Sequence, residues 1–200
     1  MKSVLSVGLV LSLTITLMSC AQPPQQELDA AQASLNEAKN AEADIYASDT
    51  YQSARTALDE ANAQVGEKDY ETAKASAIRA KDLADQARAE GEANKQRTRD
   101  EAQAIVNRTS TGLTDARTAI NGAPRGKGAD DDIDQLRSDL GQVETGLSDA
   151  RGNLNSGRFK DAVDQARNAE SRLGQVQGAM QTAVQKIETW KEKNRPWYEL

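Results

Sequence analysis

From Phe159 to Trp190 the chain sets Phe159, Ala162, Ala166, Ala169, Leu173, Val176, Met180, Ala183, Ile187 and Trp190 at alternating steps of three and four. Seven residues make about two turns of α-helix, so this spacing lines a single helical face. More than four heptads pass without a slip, which is the pattern of coiled-coil-like packing. A strand would need alternation of period two, which is absent here. The stripe is narrow and its members are mostly small, so the expected product is a close helix-on-helix seam.

The same period recurs upstream. A first helix is expected from about Glu27 to Asp44, with Leu28, Ala31, Leu35, Ala38 and Ile45 on its stripe. Tyr46-Ala47-Ser48-Asp49 interrupts it, and Ser48 or Asp49 is placed to cap the next helix. That second helix carries Tyr51, Ala54, Leu58, Ala61 and Val65 and is expected to end at Gly66. Asp69 is the expected cap of a third, with Tyr70, Ala73, Ala77, Ala80, Ala84 and Ala87 in line. No proline follows until Pro124, so this helix is expected to run to about Ile120, roughly 75 Å at 1.5 Å per residue. Its middle, Asn94 to Asp100, has no apolar stripe; the stripe returns with Ala102, Ile105, Thr109, Leu113, Ala116 and Ile120. Gly122, Pro124, Gly126 and Gly128 then forbid helix. Asp130 or Asp131 is the expected cap of a fourth helix bearing Ile133, Leu136, Leu140, Val143, Leu147, Ala150 and Leu154. Ser156-Gly157 turns the chain into the last helix.

A weak repeat accompanies these turns. Gly66 precedes Tyr70, Ala73 and Ala77, and Gly157 precedes Phe159, Ala162 and Ala166. Each reads as an antiparallel hairpin with an aromatic at the wide end and alanines where the backbones approach. The resulting fold class is all-α: an elongated antiparallel bundle, two three-helix bundles sharing one long central helix. Swapping of helices into a dimer is an open alternative, since such heptads also serve between chains.

Composition narrows the chemistry. The chain has no histidine and one cysteine, which removes the commonest general base and metal ligand and any internal disulfide. Its formal net charge is −6. An acidic chain is a poor partner for nucleic acid, whose affinity rests on phosphate neutralisation. It is equally poor for anionic lipid heads. No catalytic residue, metal ligand or cofactor is expected. Gly122-Ala123-Pro124-Arg125-Gly126-Lys127-Gly128 is one residue short of a phosphate loop and has Gly128 where Ser or Thr is needed. Asp130-Asp131-Asp132-Ile133-Asp134 lacks the ligand spacing of a calcium loop.

The lone cysteine is Cys20. Lys2 gives a positive start, and Val4 to Met18 is apolar apart from Ser, Thr and Gly, too short to span a bilayer comfortably and suited to a signal-peptide core. Leu17, Met18, Ser19 and Cys20 resemble a bacterial lipobox. The resemblance implies that residues 1–19 are a lipoprotein signal peptide, that the Cys20 thiol receives diacylglycerol, and that its freed amine is acylated, palmitate being the usual chain. Residues 20–26, with Pro23 and Pro24, then form a tether. Ala21 stands where Asp would mark inner-membrane retention, which implies an outer-membrane location facing the periplasm.

Tyr46 to Arg88 resembles a domain of unknown function found in bacterial envelope lipoproteins. The residues that carry the resemblance are the break Tyr46 to Tyr51, the ladder Ala54, Ala57, Leu58 and Ala61, and the turn Gly66 to Tyr70 followed by Ala73, Ala77 and Ala80. Members often follow a lipobox and often precede an OmpA-like peptidoglycan-binding domain; the second half of this chain has no such strand-helix pattern. The organisation expected is therefore signal peptide 1–19, lipidated tether 20–26, helical bundle and long helix 27–122, loop 123–130, helical hairpin 131–195 and aromatic tail 196–200. In that tail Pro196 leaves Trp197 and Tyr198 beyond the helix, either folded back on the bundle or kept for a partner. The functional expectation is a lipid-anchored, non-enzymatic envelope protein, a periplasmic spacer or interaction scaffold. The alternative is a lipid-tethered module that binds peptidoglycan or another ligand.

Overall fold

The computed structural model describes residues 22–123 and 130–195, all helix and short turns among those residues. The helices are α1 (Gln25–Asn40), α2 (Ala43–Tyr46), α3 (Ser48–Gly66), α4 (Tyr70–Gly122), α5 (Asp130–Asn155) and α6 (Phe159–Lys193). α4 alone has 53 residues, an axis of about 80 Å.

Two separate cores lie along α4. The first joins Leu28 and Leu35 of α1, Tyr51 and Leu58 of α3 and a file of alanines, Ala77, Ala80, Ala84 and Ala87, on α4. The second joins Ile105, Leu113 and Ile120 of α4, Leu136, Leu140, Val143 and Leu147 of α5, and Ala166, Leu173 and Val176 of α6. Between Gly91 and Ala102 no residue of α4 is buried. The expected pair of three-helix bundles sharing a central helix is the architecture observed. Ion pairs set the directions. Glu27–Lys74 at 2.7 Å and Glu37–Arg88 at 3.2 Å run α1 parallel to α4. Glu101–Arg167 and Arg108–Glu170 do the same for α6. α3 and α5 return antiparallel between them.

Local differences from the sequence reading have physical causes. α1 stops at Asn40 because Glu42 turns left-handed, with φ of 59°, and starts the separate turn α2. That bend lays Ala43 on α4 and takes Ile45 off the expected stripe, leaving it 47% exposed. Ser48 and Asp49 lie inside the first turn of α3; the capping position is Ala47, with no side-chain cap. Asp130 and Asp131 lie within the first described turn of α5, where they favour the helix dipole. Asp69 does cap α4, accepting from the Thr72 amide at 3.3 Å. Trp190, expected at the end of the α6 stripe, is 43% exposed, and Ile187 is the last sealed residue.

The repeat is tighter than the glycines indicate. At the end of α3 the Asp69 amide bonds to Gln64 O at 2.9 Å and the Lys68 amide to Val65 O at 3.0 Å. At the end of α5 the Arg158 amide bonds to Asn153 O at 2.9 Å and the Gly157 amide to Leu154 O at 3.2 Å. Both are Schellman turns, with the left-handed residue at Lys68 (φ 64°) and Gly157 (φ 75°). The equivalent of Gly157 is thus Lys68, not Gly66. Shifting by the Lys68-to-Gly157 interval superposes Tyr51 on Leu140, Ala54 on Val143, Leu58 on Leu147 and Ala61 on Ala150, all buried. It also superposes Ala73, Ala77 and Ala80 on Ala162, Ala166 and Ala169. A left-handed lysine is strained where glycine is not. Lys68→Gly is therefore expected to raise the urea unfolding midpoint by an amount worth about 0.5–1 kcal/mol, and Gly157→Lys to lower it by a similar amount.

Candidate functional surfaces

The sequence-derived site residues Leu17, Met18, Ser19, Cys20, Trp197 and Tyr198 lie outside the described residues. The structure shows where the chain that carries Cys20 enters the rod. Pro24 is buried and its carbonyl accepts the Leu28 amide at 3.0 Å, starting α1 beside the α3–α4 turn. One pole of the rod is therefore where the chain enters α1, and α4 ends about 80 Å away at Gly122. α6, parallel to α4, carries the chain toward that second pole.

The waist between the cores is a surface the sequence reading missed. α2 packs on α4 so closely that a Cβ on Gly91 would sit 3.0 Å from Ala43 Cα. The Asn94 amide donates to Tyr46 O at 2.8 Å, and Lys95 pairs with Glu42 at 2.8 Å. From the second bundle, Lys160 Nζ donates to Ile45 O at 2.6 Å and lies 5.6 Å from the centre of the Tyr46 ring. Burial pushes the Tyr46 hydroxyl up, reinforced by Glu42, against the opposing pull of the Phe159 backbone. The available signal was Gly91, a glycine just ahead of the polar stretch of a long helix, a residue that costs stability there unless a backbone approaches.

That approach gives a test of opposite signs. Gly91→Ala forces Cβ against backbone, and a loss of about 1–3 kcal/mol is expected. Gly141→Ala on α5, where nothing lies within 4 Å, should instead gain about 0.5–1 kcal/mol from helix propensity. Denaturant unfolding of the two variants checks both.

The remaining surface is charged and open. A groove of about 1000 Å³ runs between α5 and α6, floored by Gly146, Ala169 and Val176 and walled by Asp139, Asp149, Gln165, Asn168 and Arg172. Its counterpart on the first bundle, at Ser53, Thr56, Ala57, Glu60 and Arg79, occupies equivalent positions and is smaller. The carboxyls that depart from their ordinary range all move downward. Glu27 is lowered mainly by its bond to Lys74, Asp85 by Lys81, Glu90 by Thr50 and Glu170 by Arg108. Such groups hold charge, and Glu27, Glu90 and Glu170 also tie helices together; a general acid at neutral pH needs the opposite shift. Among the described residues no three His, Cys, Asp or Glu side chains gather as a metal site. No helix among them is long and apolar enough to cross a membrane.

No curated protein and no solved structure matches the chain. Residues 26–104 match a domain of unknown function (DUF4398), a span that runs from α1 across the waist to the first residues of the second core.

Proposed function

We propose that the protein is a lipid-anchored envelope rod, without enzymatic activity, that acts as a spacer or interaction scaffold on the periplasmic face of the outer membrane. The observation that carries this reading is the polarity of the rod. The lone cysteine, at the end of a short apolar run, precedes the helix that enters at one pole, and a single helix of 53 residues leads away from it. A lipid at Cys20 would hold the near pole at the bilayer, and Trp197 and Tyr198 would serve as contacts beyond the end of α6. The downward-shifted carboxyls and the open, polar groove support a structural rather than a catalytic surface.

The rival reading is a wall-binding module. In-cell crosslinking of the full-length protein, paired with co-sedimentation on purified sacculi, separates the two. The scaffold predicts capture of one envelope protein, lost when Trp197 and Tyr198 are changed to Ala, with no sedimentation on sacculi. Capture of wall fragments together with co-sedimentation would replace the scaffold by the wall-binding module.

A further inference from the structure

We propose that Lys160 is a latch that holds the two bundles in line, and that α4 flexes at residues 92–101 when the latch is released. This concerns the mechanics of the rod and stands whether or not the rod is a spacer.

The argument starts from α4. None of residues 92–101 is fully buried, only Asn94, Lys95 and Thr98 being half-buried, and a helical stretch of that length has little stability of its own in water. Its order must come from neighbours. On one side the α2 corner splints it, through Gly91 against Ala43, Asn94 on Tyr46 O and Lys95 on Glu42. These contacts fasten the stretch to the first bundle, and at its far end Glu101 pairs with Arg167 of α6. Among the described residues, the hydrogen bond from Lys160 to Ile45 O runs from residues 25–66 to residues 130–193, beside the bond between the Phe159 backbone and the Tyr46 hydroxyl. The same ammonium faces the Tyr46 ring. A bend that parts the start of α6 from the corner breaks both contacts at once.

Two comparisons mark Lys160 as specific to the place where the bundles meet. Its equivalent in the first hairpin, one residue after Tyr70, is Glu71, which has no proton to give a carbonyl. The hairpin motif therefore does not require a lysine here. A cation in the first turn of a helix also opposes the helix dipole, so the position is unfavourable for lysine unless something outside α6 uses the charge. Ile45 O and the Tyr46 ring are that use.

The test reads distance and local opening in the full chain carrying Cys20→Ser. Spin labels are placed through Glu60→Cys on α3 and Asp149→Cys on α5, both exposed. The expected parent gives one narrow distance distribution. Lys160→Ala broadens it and speeds amide exchange at residues 92–101 about fivefold, the scale of losing one exposed cation–π contact, while the helicity of both bundles is kept. Lys160→Met, which keeps the apolar stem and loses charge and donor, should broaden it equally, and Lys160→Arg should restore the narrow form. A parent that is already broad, or a Lys160→Ala distribution as narrow as the parent's, overturns the latch.

Discussion

Cys20→Ser is expected to abolish incorporation of labelled palmitate and to remove the protein from the outer-membrane fraction. The size of this effect follows from how little else would hold the protein there. Each buried methylene of an acyl chain is worth about 0.8 kcal/mol, and one chain alone gives only reversible binding. The lipid expected on Cys20 has several chains, which makes retention durable. Without it, the chain from Cys20 onward has a formal charge of −7, since Lys2 precedes that point, and is repelled by anionic headgroups. The described helices offer no apolar span to compensate. The apolar run itself, Val4 to Met18, would cover only about 22 Å as helix, short of a hydrocarbon core of about 30 Å. Fractionation on a density gradient, with fatty-acid labelling in parallel, is the measurement. Unchanged outer-membrane density in Cys20→Ser would remove the lipid from the account.

The helices were legible because their information is local. Alternating steps of three and four identify a face whatever packs on it, so α3, α4, α5 and α6 and the gap in the α4 stripe could all be read from spacing. The failures share the opposite property. Ile45 continues the α1 period, yet a left-handed Glu42 breaks the phase, and nothing near Glu42 advertises it because the bend is set by α4 across the way. Lys68 takes the left-handed place that Gly157 fills in the second turn, so the two turn glycines, Gly66 and Gly157, are not equivalent, although Tyr70, Ala73 and Ala77 do align with Phe159, Ala162 and Ala166. Thr109 fits the stripe and is 1% exposed, but its hydroxyl has no hydrogen-bond partner, a cost of about 1–3 kcal/mol that spacing does not reveal. The waist was invisible for the same reason: Lys160 and Ile45 are 115 residues apart, and only the fold brings them together.

The two bundles should differ in strength, and Leu147→Ala against Leu58→Ala measures the difference at equivalent positions. Leu147 is 1% exposed in a core built from Ile105, Leu113, Leu136, Leu140, Val143 and Leu173. Truncation there leaves a cavity ringed by branched side chains on three stiff helices, and a loss of about 3–4 kcal/mol is expected. Leu58 is 7% exposed and sits mostly among alanines. Alanine side chains cannot swing into a void, but the helices they carry can close on it, because the small residues already permit near approach. A smaller loss of about 2–3 kcal/mol is expected, yet from a core with fewer large residues to spare. The first bundle should therefore be the one that opens first on heating. Leu58→Ala should lower amide protection across α1 and α3 while leaving α5 and α6 near their parent values. Leu147→Ala should lower protection across α5 and α6 and pull down the upper part of the thermal transition. Hydrogen exchange read helix by helix distinguishes this from a single cooperative unit, in which either substitution would lower protection equally in both bundles. Equal losses would mean that the continuous α4 and the waist couple the cores more strongly than the separation between Gly91 and Ala102 implies.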